Sequence, residues 1–94
     1  MSPRIAKFDW DDANVEHIAR HEVVPKEVEE AFLDPFAIIK EHGIRFGEMR
    51  YSMLGRTAED RLLMIAYTIR RGAIRTVTAY TARRKDRNTF QAGR

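Results

Sequence analysis

Cysteine is absent from the 94-residue chain, which excludes disulfides and thiolate metal sites and removes any need for an oxidising compartment. Cytosol is the expected location. Long apolar runs are missing as well. The longest, Leu62 to Tyr67, is far too short to span a bilayer, and the opening Met1-Ser2-Pro3-Arg4 lacks the apolar stretch of a signal peptide. The chain reads as soluble and unprocessed, with no membrane partner. It holds no repeat, linker or low-complexity segment, so residues 1–94 read as one domain with one modest core. Gly-rich phosphate loops, nucleophile elbows and Rossmann signatures are also missing, and cofactor-dependent chemistry is not expected.

What the chain does have is arginine, unevenly placed. Residues 1–42 carry five Lys and Arg against ten Asp and Glu, whereas residues 43–94 carry twelve against four. Eleven of those twelve cations are arginines, Lys85 being the exception. A guanidinium is a planar fork that grips phosphate oxygens in pairs and stacks on bases, whereas an ammonium is a point charge. An arginine-dominated half therefore points to nucleic acid, with a merely solvated basic surface as the plain alternative.

Periodicity divides the chain the same way. Residues from Ile5 to Trp10 read as a short strand that ends in Asp9, Asp11 and Asp12. Asp11 or Asp12 caps a helix running to about His21, with Val15, Ile18 and Ala19 on one stripe. Pro25 suits the first position of a second helix carrying Val28, Ala31 and Phe32, stopped by Asp34-Pro35. From Phe36 the period changes to two. Strands are expected at about 36–40, 48–56, 61–70 and 74–81, with turns near His42-Gly43, Ala58 to Asp60 and Arg71-Gly72. Short connections imply antiparallel neighbours. The unbroken apolar run Leu62 to Ala66 marks a central strand covered on both faces. Thr81 then caps a third helix from Ala82 to about Gln91, ending near Gly93. The expected fold is α+β: two N-terminal helices, an antiparallel sheet of about four to five strands, and a C-terminal helix.

Several side chains invite chemical readings. His17 and His21 lie four apart on the first helix, at metal-ligand spacing, but the zinc-peptidase pattern needs Glu where Ile18 stands, and the reversed pattern needs Glu where Arg20 stands. His42 could be a third ligand, yet nothing fixes its position, so no metal site is expected. Glu27, Glu29 and Glu30 fall on the polar side of an amphipathic helix, where charges are normally solvated. The strand arginines are more informative. Arg50, Ser52, Leu54 and Arg56 share one face of their strand, and Met49, Tyr51, Met53 and Gly55 share the other. On the last strand Arg75, Val77 and Ala79 alternate with Ile74, Thr76, Thr78 and Tyr80. A cation beside inward-facing residues is costly unless it lines a cleft or meets an anion, which favours Arg61 and Arg75 over the hairpin pair Arg70 and Arg71. A partly exposed, salt-bridged arginine is the competing reading at each position.

Trp10-Asp11-Asp12-Ala13-Asn14, then His17-Ile18-Ala19-Arg20-His21, then Val24-Pro25-Lys26-Glu27-Val28-Glu29-Glu30-Ala31-Phe32, resemble the opening of BrnT-type toxins of bacterial toxin–antitoxin systems. Arg50-Tyr51, Leu54-Gly55-Arg56-Thr57, Arg61-Leu62, Tyr67-Thr68 and Ile74 to Ala79 match that family's sheet segments in order. The resemblance implies a RelE-like α+β ribonuclease that uses neither metal nor cofactor. It also implies a partner antitoxin that silences the toxin and whose other part binds DNA. Two positions depart from the family's habit. Asp60 stands where Gly is common before the arginine, and Tyr80 stands where Arg is common after the alanine. Tyr80 can stack on a base or donate a proton, but it does not replace a permanent cation.

Under this resemblance, the ribose 2′-hydroxyl attacks the adjacent phosphorus while cations neutralise the growing charge. Arg56, Arg61 and Arg75 are expected to clamp the scissile phosphate, with His21 or Tyr80 handling the proton. Arg50, Arg83, Arg84 and Lys85 are the expected contacts to the rest of the RNA. The expected partners are RNA and a cognate BrnA-like antitoxin, through which oligomers mainly form. A non-catalytic nucleic-acid-binding module, or a degenerate toxin, is the alternative. A structural protein whose arginines only make salt bridges ranks third.

Overall fold

The computed structural model describes residues 7–92. Ile5 and the expected helix end at Gly93 lie outside them. The elements run β1 (Lys7–Phe8), α1 (Asp12–Ala19), α2 (Pro25–Ala31), β2 (Ile38–Arg45), β3 (Glu48–Arg56), β4 (Leu62–Arg70), β5 (Ala73–Thr81) and α3 (Arg84–Ala92). The α+β class and the order of the helices follow the sequence reading.

Local chemistry explains the helix starts. Asp11 accepts a hydrogen bond from the Asn14 backbone N–H (3.1 Å), and Asn14 Oδ1 accepts one from the Asp11 N–H (2.8 Å), a reciprocal cap on α1. Pro25 stands at the first position of α2, and Glu27 turns back to accept from the Val24 N–H. At α3 the expectation fails by two residues. Strand β5 continues through Thr81, whose hydroxyl faces Arg61. The Asp86 carboxylate instead accepts the Arg83 N–H and opens the helix.

The sheet order is β1-β5-β4-β3-β2. Strands β2 to β5 form an antiparallel meander, but β1 pairs parallel to β5, through Lys7 with Ala73 and Phe8 with Ile74. The sheet is therefore mixed rather than wholly antiparallel. Two helices, not a hairpin, carry the chain away from β1, so no tight turn fixes its direction. The second strand is also longer than expected. His42-Gly43 lies inside β2 at a bulge between Glu41 and Ile44, and the turn falls at Phe46-Gly47, both with positive φ (51° and 79°), the signature of a two-residue hairpin loop.

One face of the sheet packs on the helices. Ile18, Val23, Val28 and Ala31 meet Met53, Leu63, Ile65, Tyr67 and Ala79 in the main core. A smaller core on the opposite face gathers Leu54, Leu62, Ala82 and Phe90 under α3. Strand β4 is central as expected, yet on the face away from α1 and α2 the small core under α3 reaches only its Leu62 end. Its Met64 packs at the border of that small core and, like Ala66, is half-buried. The uncovered part of that face is where the polar residues gather.

Candidate nucleic-acid interface

Strand register builds the uncovered face. Ser52 lies beside Ala66, Arg50 beside Thr68, Thr68 beside Arg75, and Met64 beside Tyr80. Alternation then points these side chains away from the helix-covered core. Between them runs a groove of about 430 Å³ bordered by His42, Arg45, Arg50, Ser52, Met64 and Tyr80. Its floor is apolar and its rim carries donors. His42 Nε2 lies 2.7 Å from Ser52 Oγ, and the Arg45 guanidinium sits over the Phe46 ring at 5.9 Å. Arg50 makes no ion pair among the described residues, and its Nε is buried without a hydrogen-bond partner.

Tyr80 stands at the β5 end of this groove. The Arg83 guanidinium lies 4.7 Å from its ring centre, and the His21 ring is 5.9 Å from it, tilted by 60°. His17 is the next ring, 5.9 Å from His21. The structure thus brings together Tyr80, His21 and Arg83, which the sequence could only propose separately. Lys85 borders a neighbouring shallow cavity with Lys40, Ser52 and Met64, and Arg84 is exposed one residue earlier. The buried Tyr67 is a different case. Tyr67 is stacked on Tyr51 at 5.1 Å inside the helix-side core, and burial pushes its phenol above the usual range.

Arg56, Arg61 and Arg75 do not converge on one point. Arg56 is held by Asp60 (Nη1–Oδ1 3.2 Å) and lies over Phe90 at 5.3 Å. Arg61 donates to both Glu27 oxygens (3.1 and 3.0 Å), to the Glu22 and His21 carbonyls and to the Thr81 hydroxyl. Arg75 bridges Asp9 (3.4 Å) and Asp11 (3.0 Å). Arg56 and Arg61 border the same cavity with Arg87. Arg75 lies beside Thr68, whereas Arg56 lies beside Leu62, about 20 Å away along β4 at ~3.3 Å per residue. The single three-arginine clamp is therefore not assembled, because local carboxylates have taken each guanidinium.

A second cavity, of about 260 Å³, opens between α1 and the Arg75 end of the sheet, among His17, Arg50, Arg70, Arg75 and Thr76. Glu48 also borders it but is held in two-point contact by Arg70 (2.8 and 2.9 Å). That contact draws the Glu48 carboxyl below its ordinary range and raises Arg70 in turn. Asp11 is likewise lowered, first by the Asn14 N–H and then by Arg75. Among the described residues no group of three His, Asp or Glu side chains is arranged to hold a metal ion.

Two groove residues, His42 and Arg45, stay hidden in the sequence because its pattern puts the turn at His42-Gly43. Moving it to Phe46-Gly47, where a glycine follows a full strand's length of residues, puts both on the face of Arg50 and Ser52. Position 60 also gains a reason. Asp60 has φ 68°, the left-handed region where glycine costs least. No helix among the described residues is long and apolar enough to cross a membrane. Comparison with curated proteins gives no match. Residues 10–86 match the family described as ribonuclease toxin, BrnT, of type II toxin–antitoxin systems, a span that takes in the groove, Tyr80 and the start of α3.

Proposed function

The chain belongs to the BrnT family of type II toxin–antitoxin ribonuclease toxins, and from that premise we propose that it cuts RNA in the Tyr80 groove without a metal ion. The observation that carries this reading is the contact set around Tyr80, with Arg83 over its ring and His21 beside it. A ribose 2′-hydroxyl attacks the adjacent phosphorus and loses its proton to His21. The P–O5′ bond breaks, and the departing oxygen takes a proton from Tyr80 or water, leaving a 2′,3′-cyclic phosphate and a 5′-hydroxyl. Arg83 and Arg50 stabilise the extra charge of the pentacoordinate phosphorus. The cation common at position 80 in the family is supplied here by Arg83, which occupies the space above the ring.

Arginine acts at several places in this reading. Lys85 and Arg84 hold flanking phosphates, Arg75 borders the far end of the RNA path, and Arg56 and Arg61 fix the frame around the site. The fold is read as RelE-like, the chain as a single toxin domain acting in the cytoplasm, and the partner as a BrnA-like antitoxin. An acidic segment of that antitoxin lying over the groove blocks RNA and neutralises charge together, and larger assemblies form through it.

The test is cleavage of single-stranded RNA in the presence of EDTA. Cyclic-phosphate ends are expected. His21→Gln and Arg83→Ala each lower the rate by on the order of a hundredfold, with the thermal midpoint unchanged. Cleavage that EDTA abolishes, or that both variants leave intact, overturns the mechanism. RNA binding with no product in any condition favours the non-catalytic module, for which Arg50, Arg83, Arg84 and Lys85 would suffice. Co-expression with the neighbouring small reading frame and recovery of a stable, inactive complex tests the antitoxin.

A further inference from the structure

The groove beside Tyr80 has a shape that the cleavage chemistry above does not use. Strand register lines up Lys40, Ser52, Ala66 and Thr78 in one row across four strands. The last three are small. On the same face the next row towards the α3 end is Leu54, Met64 and Tyr80, and the row on the other side holds Arg50 and Thr68. Same-face rows lie ~7 Å apart along a strand and neighbouring strands ~4.8 Å apart, so the small side chains leave a trough between the larger Met64, Tyr80 and Arg50. Its floor is apolar, made by the half-buried Ala66 and Met64. At its β2 end His42 Nε2 lies 2.7 Å from Ser52 Oγ. Whichever of the two donates, Ser52 keeps a hydroxyl proton or a lone pair for a third group. Among the described residues the border carries Arg45 and Arg50 and no carboxylate. Glu41 lies beside Tyr51, on the helix-side face, and Glu48 is held by Arg70.

We propose that this trough seats a nucleobase of the RNA next to the phosphate that is cut, with Ser52 and His42 reading its edge. The inference rests on the Tyr80 groove being the cleavage site. A phosphate does not suit the floor, because Met64 and Ala66 offer an anion no donor. A flat heterocycle does suit it. Its face lies on apolar atoms beside the Tyr80 ring, and its edge meets the Ser52 and His42 pair. The arginine border, with no carboxylate to oppose it, complements the charge of the attached backbone, which makes the occupant a nucleotide rather than an apolar side chain of another protein. Bases inside a duplex are stacked and out of reach, so the RNA is single-stranded where it is cut. Ser52 and His42 then determine specificity, since a base whose edge leaves them unpaired is held less well.

The experiment compares 2′-O-methyl hexanucleotides of A, of C and of U, which cannot be cut, with a hexamer of the same backbone that lacks bases, by fluorescence anisotropy on the whole protein. At least one base-bearing hexamer should bind about tenfold tighter than the abasic one, the scale of one seated base. Ala66→Leu fills the trough and should bring every hexamer down to the abasic affinity, which itself stays put. Ser52→Ala should narrow the differences among A, C and U, and it keeps the question open to refutation should Ala66→Leu disturb the sheet. Equal affinity for base-bearing and abasic hexamers overturns the proposal, as does an unaltered ranking of the bases in Ser52→Ala. Binding of a glutamate-rich peptide that no hexamer displaces also overturns it and assigns the face to an acidic protein segment. Base-dependent binding lost in Ala66→Leu, with no RNA cut by the wild type, keeps the trough and rejects the nuclease. Cleavage by the wild type with no base dependence, and the same cut positions in both variants, rejects the trough and keeps the nuclease.

Discussion

Gly55 touches α2 so closely that a methyl group there would lie 2.7 Å from the Ala31 carbonyl oxygen. Backbone cannot swing aside as a side-chain tip can, so helix and strand would have to separate. Gly55→Ala is expected to cost about 1–3 kcal/mol, read as a lowered midpoint in urea with an unchanged slope. A neutral result would mean that α2 slides freely on the sheet. Asp60 shows the opposite economy. It tolerates the left-handed backbone at φ 68° and uses its side chain on Arg56, an exposed pair whose own contribution is small.

At the scale of elements, α1 is tied down at its start by Asp11, which caps the helix and meets Arg75 of β5. Its carboxyl titrates below the ordinary 3.8, so the ionised form is the one folding favours. The contribution is therefore full above about pH 4 and is lost as pH falls through the lowered value. An acid titration followed at the Asn14 amide should show a midpoint below 3.8, and Asp11→Asn should abolish it. A midpoint at or above 3.8 refutes the account. Most elements were legible because their signals are local, such as Asp11 before α1, Pro25 at α2 and the Arg71-Gly72 turn with φ 54° and 77°. Phe46-Gly47 was missed because phenylalanine reads as a strand former, and Gly43 drew the turn toward a bulge. The pairing of β1 with β5 depends on contacts across most of the chain, for which no local pattern exists.

For the whole molecule, the lopsided charge is partly spent internally. The acidic first half supplies Asp9, Asp11 and Glu27 to Arg75 and Arg61, so the formal excess of cations overstates the face open to RNA. The sequence showed which residues were cationic but not which would be matched, because ion pairing is settled by tertiary contact. With Arg50, Arg83, Arg84 and Lys85 as the contacts, the logarithm of affinity for a non-cleavable RNA should fall with the logarithm of salt at a slope of roughly −3, at about −0.7 per phosphate. Fluorescence anisotropy across a salt series measures it, and a slope near zero would reject phosphate contact altogether.

Arg61 joins the loop after α1, the first turn of α2 and the end of β5 through one guanidinium. Both N–H arms are committed, and the groups they hold come from three separate parts of the chain. Opening at this joint loosens the segment between α1 and α2 while the strands stay paired, a partial excursion rather than global unfolding. Amide hydrogens of residues 21 to 23 should accordingly exchange with deuterium much faster in Arg61→Ala while those of β4 hardly change. Because His21 hangs from the same joint, the excursion that exposes those amides is also the one that carries its imidazole away from Tyr80, and exchange at three backbone positions becomes a clock for how often the site falls apart.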